Sequence, residues 1–250
     1  MREVLFRVTE NSRIAESVFR MTLEGDTSDI TSPGQFVNIK LANHYLRRPI
    51  SVCDWEENQL TIIYKVVGSG THDMSLLKAG ETLSVLSGLG SGYDISDDTN
   101  KLAQSLRPVI VGGGVGVPPL YGLAKRLLAK NVKPEVILGF NSSAEIFLVD
   151  EFTALGLRVS VTTLDGSAGI RGLVTDALRG QGYAYCCGPL PMLRAVHSLV
   201  QDGQFSFESR MACGFGVCMG CSVRTLNGSK RVCRDGPVLK HAEILWDGEA

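Results

Sequence analysis

The sequence predicts a chain of three parts: a β-barrel over residues 1–100, an α/β domain with a parallel sheet over 101–205, and a small cysteine-rich module over 206–250. Three observations support this division. The first part holds short apolar or alternating runs separated by turn residues, the second alternates buried strands with helical periodicity, and the third holds four of the seven cysteines. A chain of 250 residues is long enough for two domains and a small appendage.

The predicted barrel depends on six runs that are typical of strands. Turn residues lie between them, among them Asn11-Ser12 and Ser32-Pro33-Gly34. A single helix is predicted over 71–78. Many short strands with so little helix favour a small closed barrel. The predicted strands cover 3–9, 18–23, 35–41, 50–54, 60–66 and 81–86.

The second part alternates strands and helices. Its longest helical pattern, over 118–130, repeats apolar residues at the spacing of one helix face. Such an alternation predicts a parallel sheet with helices on both faces. The predicted strands cover 109–112, 135–140, 158–162 and 184–187, and the other predicted helices cover 150–155, 173–178 and 191–200.

Composition and charge exclude several classes of protein. The chain is 44% hydrophobic with a formal net charge of −1 and has no basic run, so neither nucleic acid nor an anionic membrane is expected as a partner. The N-terminus lacks the apolar core of a signal peptide, and no apolar stretch reaches membrane-spanning length. An odd number of cysteines without an export signal predicts the reducing cytoplasm. Cys53 and Cys186 are expected to be small buried apolar residues.

The four clustered cysteines follow the spacing C-x4-C-x2-C-x11-C. Cys213, Cys218 and Cys221 lie on one nine-residue loop, and Asn227-Gly228 predicts a hairpin that returns Cys233 toward them. The first three cysteines have the spacing of plant-type [2Fe–2S] ferredoxins. Zinc is the alternative, but zinc ligands usually come as separated pairs. We therefore predict a [2Fe–2S] cluster bound by these four cysteines.

A glycine-rich loop joins the first strand of the α/β part to its first helix. Its sequence, G-G-G-V-G-V-P-P from residue 112, makes Gly113, Gly114, Val115 and Gly116 candidate nucleotide-binding residues. Free N–H groups at a helix N-terminus and a close glycine backbone suit a pyrophosphate. The motif lacks the third glycine of the usual dinucleotide fingerprint, so a tight strand–helix turn is the alternative interpretation.

A second element follows about 70 residues later, where Cys187-Gly188-Pro189 ends a predicted strand. Together the two elements resemble the ferredoxin–NADP reductase superfamily. Its members place a flavin-binding barrel before a nicotinamide-binding domain, which is the order predicted here. The resemblance implies that Cys187, Gly188 and Pro189 also contribute to the NAD site.

Within the barrel, Arg48-Pro49-Ile50-Ser51 matches the R-x-[YFI]-[ST] flavin motif of that superfamily. Arg48 can pair bidentately with a phosphate of FAD, and Ser51 on the same strand can hydrogen-bond the isoalloxazine edge. Ile50 offers an apolar surface where many relatives carry Tyr. The alternative is a surface arginine at the start of a strand.

Two further segments are candidates for FAD binding. Gly70 and Thr71 lie at the start of the predicted helix, where free N–H groups can bind the FAD pyrophosphate. In the superfamily, the residues that correspond to Ile63, Tyr64 and Lys65 border the flavin. One departure is the loop that ends the barrel, which reads S-G-L-G-S-G-Y from residue 87 where many relatives have G-P-L-G-x-G-F.

The string from Glu208 to Cys221, followed by C-R-D-G-P-V from residue 233, narrows the resemblance. Over nearly its whole length the chain looks like the electron-transfer subunits of NAD-dependent dihydroorotate dehydrogenase B. The resemblance implies FAD, a [2Fe–2S] cluster and NAD⁺. It also implies an FMN-containing catalytic partner with a TIM barrel, in a heterotetramer of two plus two subunits. Electrons from dihydroorotate would pass from FMN through the cluster and FAD to NAD⁺, in pyrimidine biosynthesis.

No residue of this chain is predicted to be catalytic beyond the cofactors, because no nucleophile–base pair is recognisable. The segment after residue 140 carries one acid, Glu145, and no arginine, which favours NAD over NADP.

Three alternatives stay open from the sequence. Small flavin subunits of sulfide dehydrogenase and of NADH-dependent ferredoxin:NADP oxidoreductase are similar, but their first cluster ligand is often Asp, where this chain has Cys213. Stand-alone reductases that serve oxygenases usually have a longer gap before the last cysteine than the eleven residues found here. The third alternative is a zinc-binding scaffold that retains an inactive dinucleotide fold.

Overall fold

The computed structural model describes residues 1–246 and contains a closed barrel, a seven-stranded sheet and a two-stranded hairpin. The predicted fold class is therefore confirmed. The bounds of the three domains stay a prediction, and residues 247–250 of the third lie outside the described residues.

The barrel consists of six antiparallel strands that close in the order β1-β2-β5-β4-β3-β6. Buried and exposed side chains alternate along its strands. In the first strand Val4, Phe6 and Val8 are buried, and the residues between them are exposed. A helix, α1 (Ser69–Leu76), crosses between the fifth and sixth strands. The strands are β1 (Arg2–Ala15), β2 (Val18–Glu24), β3 (Phe36–Ile39), β4 (Arg48–Glu56), β5 (Gln59–Lys65) and β6 (Thr82–Leu89).

The predicted turn at Asn11-Ser12 is wrong, because β1 continues through it to Ala15. Asn11 pairs with Met21 across the ladder. Its side-chain amide also donates to the carbonyl oxygens at the end of α1 and accepts a hydrogen bond from the Tyr64 hydroxyl. Tertiary partners thus satisfy an asparagine that would otherwise favour a turn.

The second sheet has the order β10-β9-β8-β7-β11-β12-β15, and every pair in it is parallel except the last. The helices are α2 (Asp97–Ser105), α3 (Pro118–Ala129), α4 (Val149–Ala154) and α5 (Leu190–His197). The strands are β7 (Pro108–Gly113), β8 (Glu135–Phe140), β9 (Val159–Thr163), β10 (Ile170–Arg171), β11 (Tyr183–Cys187), β12 (Asp202–Ser206) and β15 (Val238–Lys240).

The α/β part differs from the prediction in several elements, among them the two-residue strand β10, which was not predicted. Helix α2 was missed because it is mostly polar and buries only Asn100 and Ala103. The predicted helix over 173–178 is a single 3-10 turn, Val174–Ala177. Strand β12 was also missed, since it is short and carries a glycine and polar residues that become buried only in the packed sheet.

The cysteine-rich module contains the hairpin of β13 (Ser222–Thr225) and β14 (Gly228–Arg231), followed by a short helix, α6 (Val232–Asp235). The predicted hairpin is present, but its turn residues are Leu226 and Asn227, with Gly228 at a φ of 99° beginning the second strand. Strand β15 then joins the edge of the large sheet beside β12. The module is therefore anchored to the α/β sheet through a shared ladder.

The barrel and the sheet share one apolar core, in which Val18, Cys53 and Ile63 of the barrel pack with helix α3 and the central strands. A Cβ atom at Gly122 of α3 would lie 2.6 Å from the carbonyl oxygen of Cys53, so the helix lies directly on β4. Among the helices of residues 1–246, none combines the length and the apolar character that a membrane crossing requires.

Candidate functional site

A cleft of about 340 Å³ lies between the barrel and the α/β sheet. Strand β4 supplies Arg48, Pro49, Ile50 and Ser51 to one wall, which brings together all four residues of the predicted flavin motif. The end of β12 and the cysteine-rich part of the chain also line the cleft, with Ser206, Phe207, Glu208, Ser209, Met211 and Pro237.

Arg48 of the motif and its neighbour Arg47 have different environments. Arg47 is committed to the barrel, because it contacts the Glu3 carboxylate at 2.7 Å and donates to the backbone oxygen and the hydroxyl of Ser84. Arg48 hydrogen-bonds to the carbonyl oxygen of Leu46 and to His44 Nδ1. No carboxylate of the described residues forms a salt bridge with it. Its positive charge is thus available to an anion in the cleft.

Gly70 and Thr71 lie beside this arginine at the first turn of α1. A Cβ atom at Gly70 would come within 2.1 Å of Arg48 Nε, so the guanidinium packs on the glycine backbone. The Thr71 hydroxyl accepts hydrogen bonds from the N–H groups of Val67 and Gly68 and therefore caps the helix. A phosphate at this place would meet backbone N–H groups and Arg48, which fits the diphosphate of FAD.

The residues of β5 line the same cleft but have other partners as well. The Tyr64 ring stacks on Phe19, and burial raises the pKa of its hydroxyl to about 12. Lys65 Nζ lies 2.7 Å from Glu145 Oε1, so this ion pair links the barrel to the α/β part. Ile63 is buried in the shared core.

The two predicted nicotinamide elements are in direct contact. A Cβ atom at Gly116 would lie 2.3 Å from the carbonyl oxygen of Cys187, and one at Gly113 would lie 3.1 Å from Pro189 Cδ. Gly114 has a φ of +51° and no heavy atom within 4 Å of such a Cβ position, so its backbone faces open space. The loop thus packs against Cys187-Gly188-Pro189 on one side and is free to approach a ligand on the other.

A second cavity, of about 300 Å³, begins at Gly113 and Gly114 and extends over the ends of β8 and β9. Pro189 contributes to its wall, as do Phe140, Asn141, Glu145 and Met192. A smaller cavity beside Val115 connects Lys65 and Glu208 with the glycine-rich loop. Val115 and Cys187 also line the first cleft, which we call the flavin cleft because the predicted flavin motif lines it, so the two predicted cofactor sites adjoin each other.

The four cluster cysteines form two pairs. Cys213 and Cys218 have their sulfur atoms 3.3 Å apart, and so do Cys221 and Cys233. Within residues 1–246, no group of three or more His, Cys, Asp or Glu side chains is arranged to hold a single metal ion. Two pairs of thiols fit a cluster with two irons better than one tetrahedral zinc, which would gather all four sulfurs equally.

The loop also favours a thiolate at its first cysteine. Burial opposes ionisation of the Cys213 thiol, but the backbone N–H groups of Cys218, Phe215 and Val217 point at the sulfur and lower its pKa to about 6. Burial and the neighbouring Cys221 raise the pKa of Cys233 to about 12. Metal binding would therefore release a proton from the second pair.

Strand β3 connects the cleft to the cysteines. Phe36 of this strand lines the cleft, and two residues later Asn38 Nδ2 donates to the carbonyl oxygen of Cys213 at 3.3 Å. Met211 reaches the cleft two residues before Cys213. These contacts place the cysteine loop directly behind one wall of the cleft.

Glu208 is a cleft residue to which sequence analysis gave no role. It keeps solvent contact through the two cavities that it lines, and desolvation by the surrounding protein raises the pKa of its carboxyl group. Phe36, Asn38 and Met211 were missed as well. No local motif marks these residues, because their positions depend on contacts between distant segments.

Comparison with known proteins decides the family. The chain is 41% identical to the electron transfer subunit of dihydroorotate dehydrogenase B (NAD(+)) from Fusobacterium nucleatum, and the match covers 95% of this chain and 96% of that protein. The corresponding subunit of a Geobacillus species is 37% identical over 98% of this chain and 99% of its own. The chain belongs to this family.

A family model agrees with this assignment, and two solved structures share the fold. Residues 208–245 match the family model of the iron–sulfur cluster binding domain of dihydroorotate dehydrogenase B. A chain of the NADH-dependent reduced ferredoxin–NADP oxidoreductase is similar with a TM-score of 0.84 and 31% identity, over 96% of this chain and 90% of that one. Phthalate dioxygenase reductase shares the fold, with a TM-score of 0.65 and 14% identity over 90% of this chain and 87% of its own.

The predicted family and the predicted role as an oxidoreductase electron-transfer subunit are confirmed. The iron–sulfur domain and the reductase fold likewise confirm the predicted [2Fe–2S] cluster, FAD and NAD. The name of the family implies a catalytic partner subunit. The assignment of individual site residues stays a prediction.

Proposed function

We propose that this electron transfer subunit accepts electrons from dihydroorotate oxidation on an FMN-containing catalytic subunit and delivers them to NAD⁺, in pyrimidine biosynthesis. The cluster would supply one-electron transfer, and FAD would exchange single electrons on one side and a hydride on the other. A heterotetramer of two plus two subunits and a cytoplasmic location are part of this proposal.

The observation that carries the proposal is the order of sites along the molecule. The cavity at the glycine-rich loop connects to the cleft of Arg48 and Ser51 through the smaller cavity beside Val115, and Met211 of the cleft lies two residues before Cys213. The chain's own role is to hold these groups in sequence. Arg48 would bind an FAD phosphate, Gly113 and Gly114 would admit the dinucleotide, and the four cysteines would bind the irons.

The outer side of the cluster loop supports an interface with the partner. Three large apolar side chains between and beside the cysteines are exposed: Phe215, Val217 and Met219, the last two at 77% and 62%. Exposed apolar groups in one loop are typical of a protein interaction site. We propose that this loop contacts the catalytic subunit and receives its electrons.

The proposal is tested by reconstitution. The purified holoprotein is mixed with an FMN-containing dihydroorotate dehydrogenase catalytic subunit, and NAD⁺ reduction is followed with dihydroorotate as donor. We expect activity that requires both chains and NAD⁺ in preference to NADP⁺. Activity with reduced ferredoxin or sulfide and none with dihydroorotate would instead assign the chain to one of the related reductases.

The surface is tested with Met219→Glu. This side chain points to solvent, so the variant should keep its iron content and its NADH:dye reductase activity but lose co-purification with the catalytic subunit. Unchanged assembly would place the interface elsewhere.

A further inference from the structure

A hydrogen-bonded chain of three side chains, Arg48, His44 and Asp73, lies beside the first turn of α1, and the proposed function uses only Arg48. Arg48 Nη2 lies 2.8 Å from His44 Nδ1, and His44 Nε2 lies 2.8 Å from Asp73 Oδ2. The His44 side chain is 13% exposed, whereas Asp73 is half exposed. His44 precedes β4, Arg48 begins it, and Asp73 lies on α1, so the chain joins two elements of the cleft.

These contacts determine the tautomer of His44. A guanidinium group carries only donors, so Nδ1 must accept the hydrogen bond from Arg48. The ring proton is then on Nε2 and is donated to the Asp73 carboxylate. A second proton on Nδ1 would remove the acceptor and place a positive ring against the positive guanidinium. The contact therefore requires a neutral His44.

Arg48 has few other restraints. Gly70 supports one face of it, and the carbonyl oxygen of Leu46 accepts a hydrogen bond. Among the described residues no carboxylate forms a salt bridge with Arg48, in contrast to its neighbour Arg47. The orientation of the guanidinium thus depends on His44 to a large extent, because a long flexible side chain is otherwise free to choose among rotamers.

We propose that His44 and Asp73 are positioning residues that hold Arg48 in the geometry needed for an FAD phosphate, and that protonation of His44 weakens FAD binding. This inference rests on the proposed FAD site. The charged groups that face His44 are Arg48 from β4 and Asp73 from α1. His72, also on α1, lies 3.5 Å from the other oxygen of Asp73 and is exposed.

The test measures FAD binding to the apoprotein by the change in flavin fluorescence, from about pH 5 to 8, where histidine titrates. The wild-type affinity should fall on the acid side of this range. His44→Ala should weaken binding about tenfold at the upper end, the loss of one charge-assisted hydrogen bond, and abolish the acid decline. His44→Asn retains an oxygen acceptor near the Nδ1 position and cannot titrate, so it should restore affinity without restoring the pH dependence.

Asp73→Asn tests the second contact of the chain, because it replaces the carboxylate that accepts from His44 Nε2. The imidazole is then held less firmly against Arg48, so FAD binding should weaken in the same direction as in His44→Ala. Asp73→Asn also keeps the proposal testable if His44→Ala does not fold. His72→Ala is the matched control, because it removes the neighbouring histidine and should leave both affinity and pH profile unchanged.

Wild-type affinity and an unaltered pH profile in His44→Ala would overturn the inference. Arg48→Ala separates this failure from a failure of the proposed function. Weak binding in Arg48→Ala with normal binding in His44→Ala would refute only the positioning role. Normal FAD binding in both would show that the FAD phosphate is held elsewhere.

Discussion

The cluster loop and the flavin cleft differ in how the chain assembles them. Three of the four cluster cysteines lie within nine residues, and the fourth returns through one hairpin. The cleft gathers β4, β5, α1, the glycine-rich loop and the segment 206–211, which are separated by up to about 160 residues. A local site can be recognised from spacing, whereas the cleft exists only after the barrel and the sheet have packed together.

The difference also extends to the roles of neighbouring residues. The four cluster cysteines all have the same kind of neighbour, because each sulfur atom lies 3.3 Å from the sulfur of one other cysteine. In the cleft, Arg47 and Arg48 are adjacent in sequence, yet one closes the barrel and the other faces the cleft. Substitutions can therefore separate the two sites from each other and from the fold.

The largest effect is expected from Cys218→Ser, which removes one thiolate of the first pair. Changes in groups around a metal ligand already cost about 10–100-fold in affinity or activity, so loss of the ligand itself should exceed this range. Dihydroorotate-dependent NAD⁺ reduction with the catalytic subunit should disappear, while NADH:dye reduction through the cleft should persist. Loss of both activities with normal FAD content would contradict the separation of the two sites.

Next in size is the contrast between Arg48→Ala and Arg47→Ala. Hydrogen bonds to a charged group contribute about 1.5–3 kcal/mol, so Arg48→Ala should weaken FAD binding about 10–100-fold without lowering the melting temperature of the apoprotein. Arg47→Ala should lower the melting temperature and leave the FAD affinity unchanged, because the Arg47 guanidinium joins Glu3 of β1 to Ser84 of β6. Equal effects of the two variants on FAD affinity would argue against a specific role of Arg48.

A smaller effect is expected from Gly214→Ala. Gly214 has a φ of +75°, and a Cβ atom there would lie 2.3 Å from Asn38 Nδ2, so the loop must move away from the barrel. A left-handed conformation alone costs a residue other than glycine about 1–2 kcal/mol. Iron content and thermal stability should fall. Gly220→Ala is the control, since its nearest neighbour, Cys218 Sγ, is 3.7 Å away; a similar loss there would mean that contact with Asn38 is unimportant.

The smallest effect concerns Glu208 in the wall between the two sites. The protein around Glu208 partly desolvates its carboxyl group and raises its pKa although the residue is exposed, so the folded chain keeps the proton to a slightly higher pH than the unfolded chain. Stability then falls as the pH rises from the unfolded pKa through the folded pKa. Glu208→Gln removes this loss and should raise the melting temperature of the apoprotein above neutral pH, by no more than about 2–4 °C, and leave it unchanged near pH 4. A gain that is independent of pH would have another cause.

Prediction from the sequence worked best where the pattern was local. The strand runs, the helix over 118–130 and the cysteine spacing correspond to structures in the predicted places. It failed where tertiary contacts outweigh local preference. Asn11 lies in a strand because α1 and Tyr64 satisfy its amide, and β12 forms because two neighbouring strands supply its hydrogen bonds.

The sequence by itself indicated the order of the three parts, the cysteine cluster and the two loops that are predicted to bind phosphates, since each depends on residues that are close in the chain. Tertiary structure decided that Arg47 joins the strands of the barrel, that the segment 206–211 lines the cleft, and that β15 anchors the cysteine-rich module beside β12. The physical reason is that burial and hydrogen-bond satisfaction are properties of the packed molecule. The environment and the partners of a side chain such as Arg47 or Glu208 depend on residues far away in the sequence.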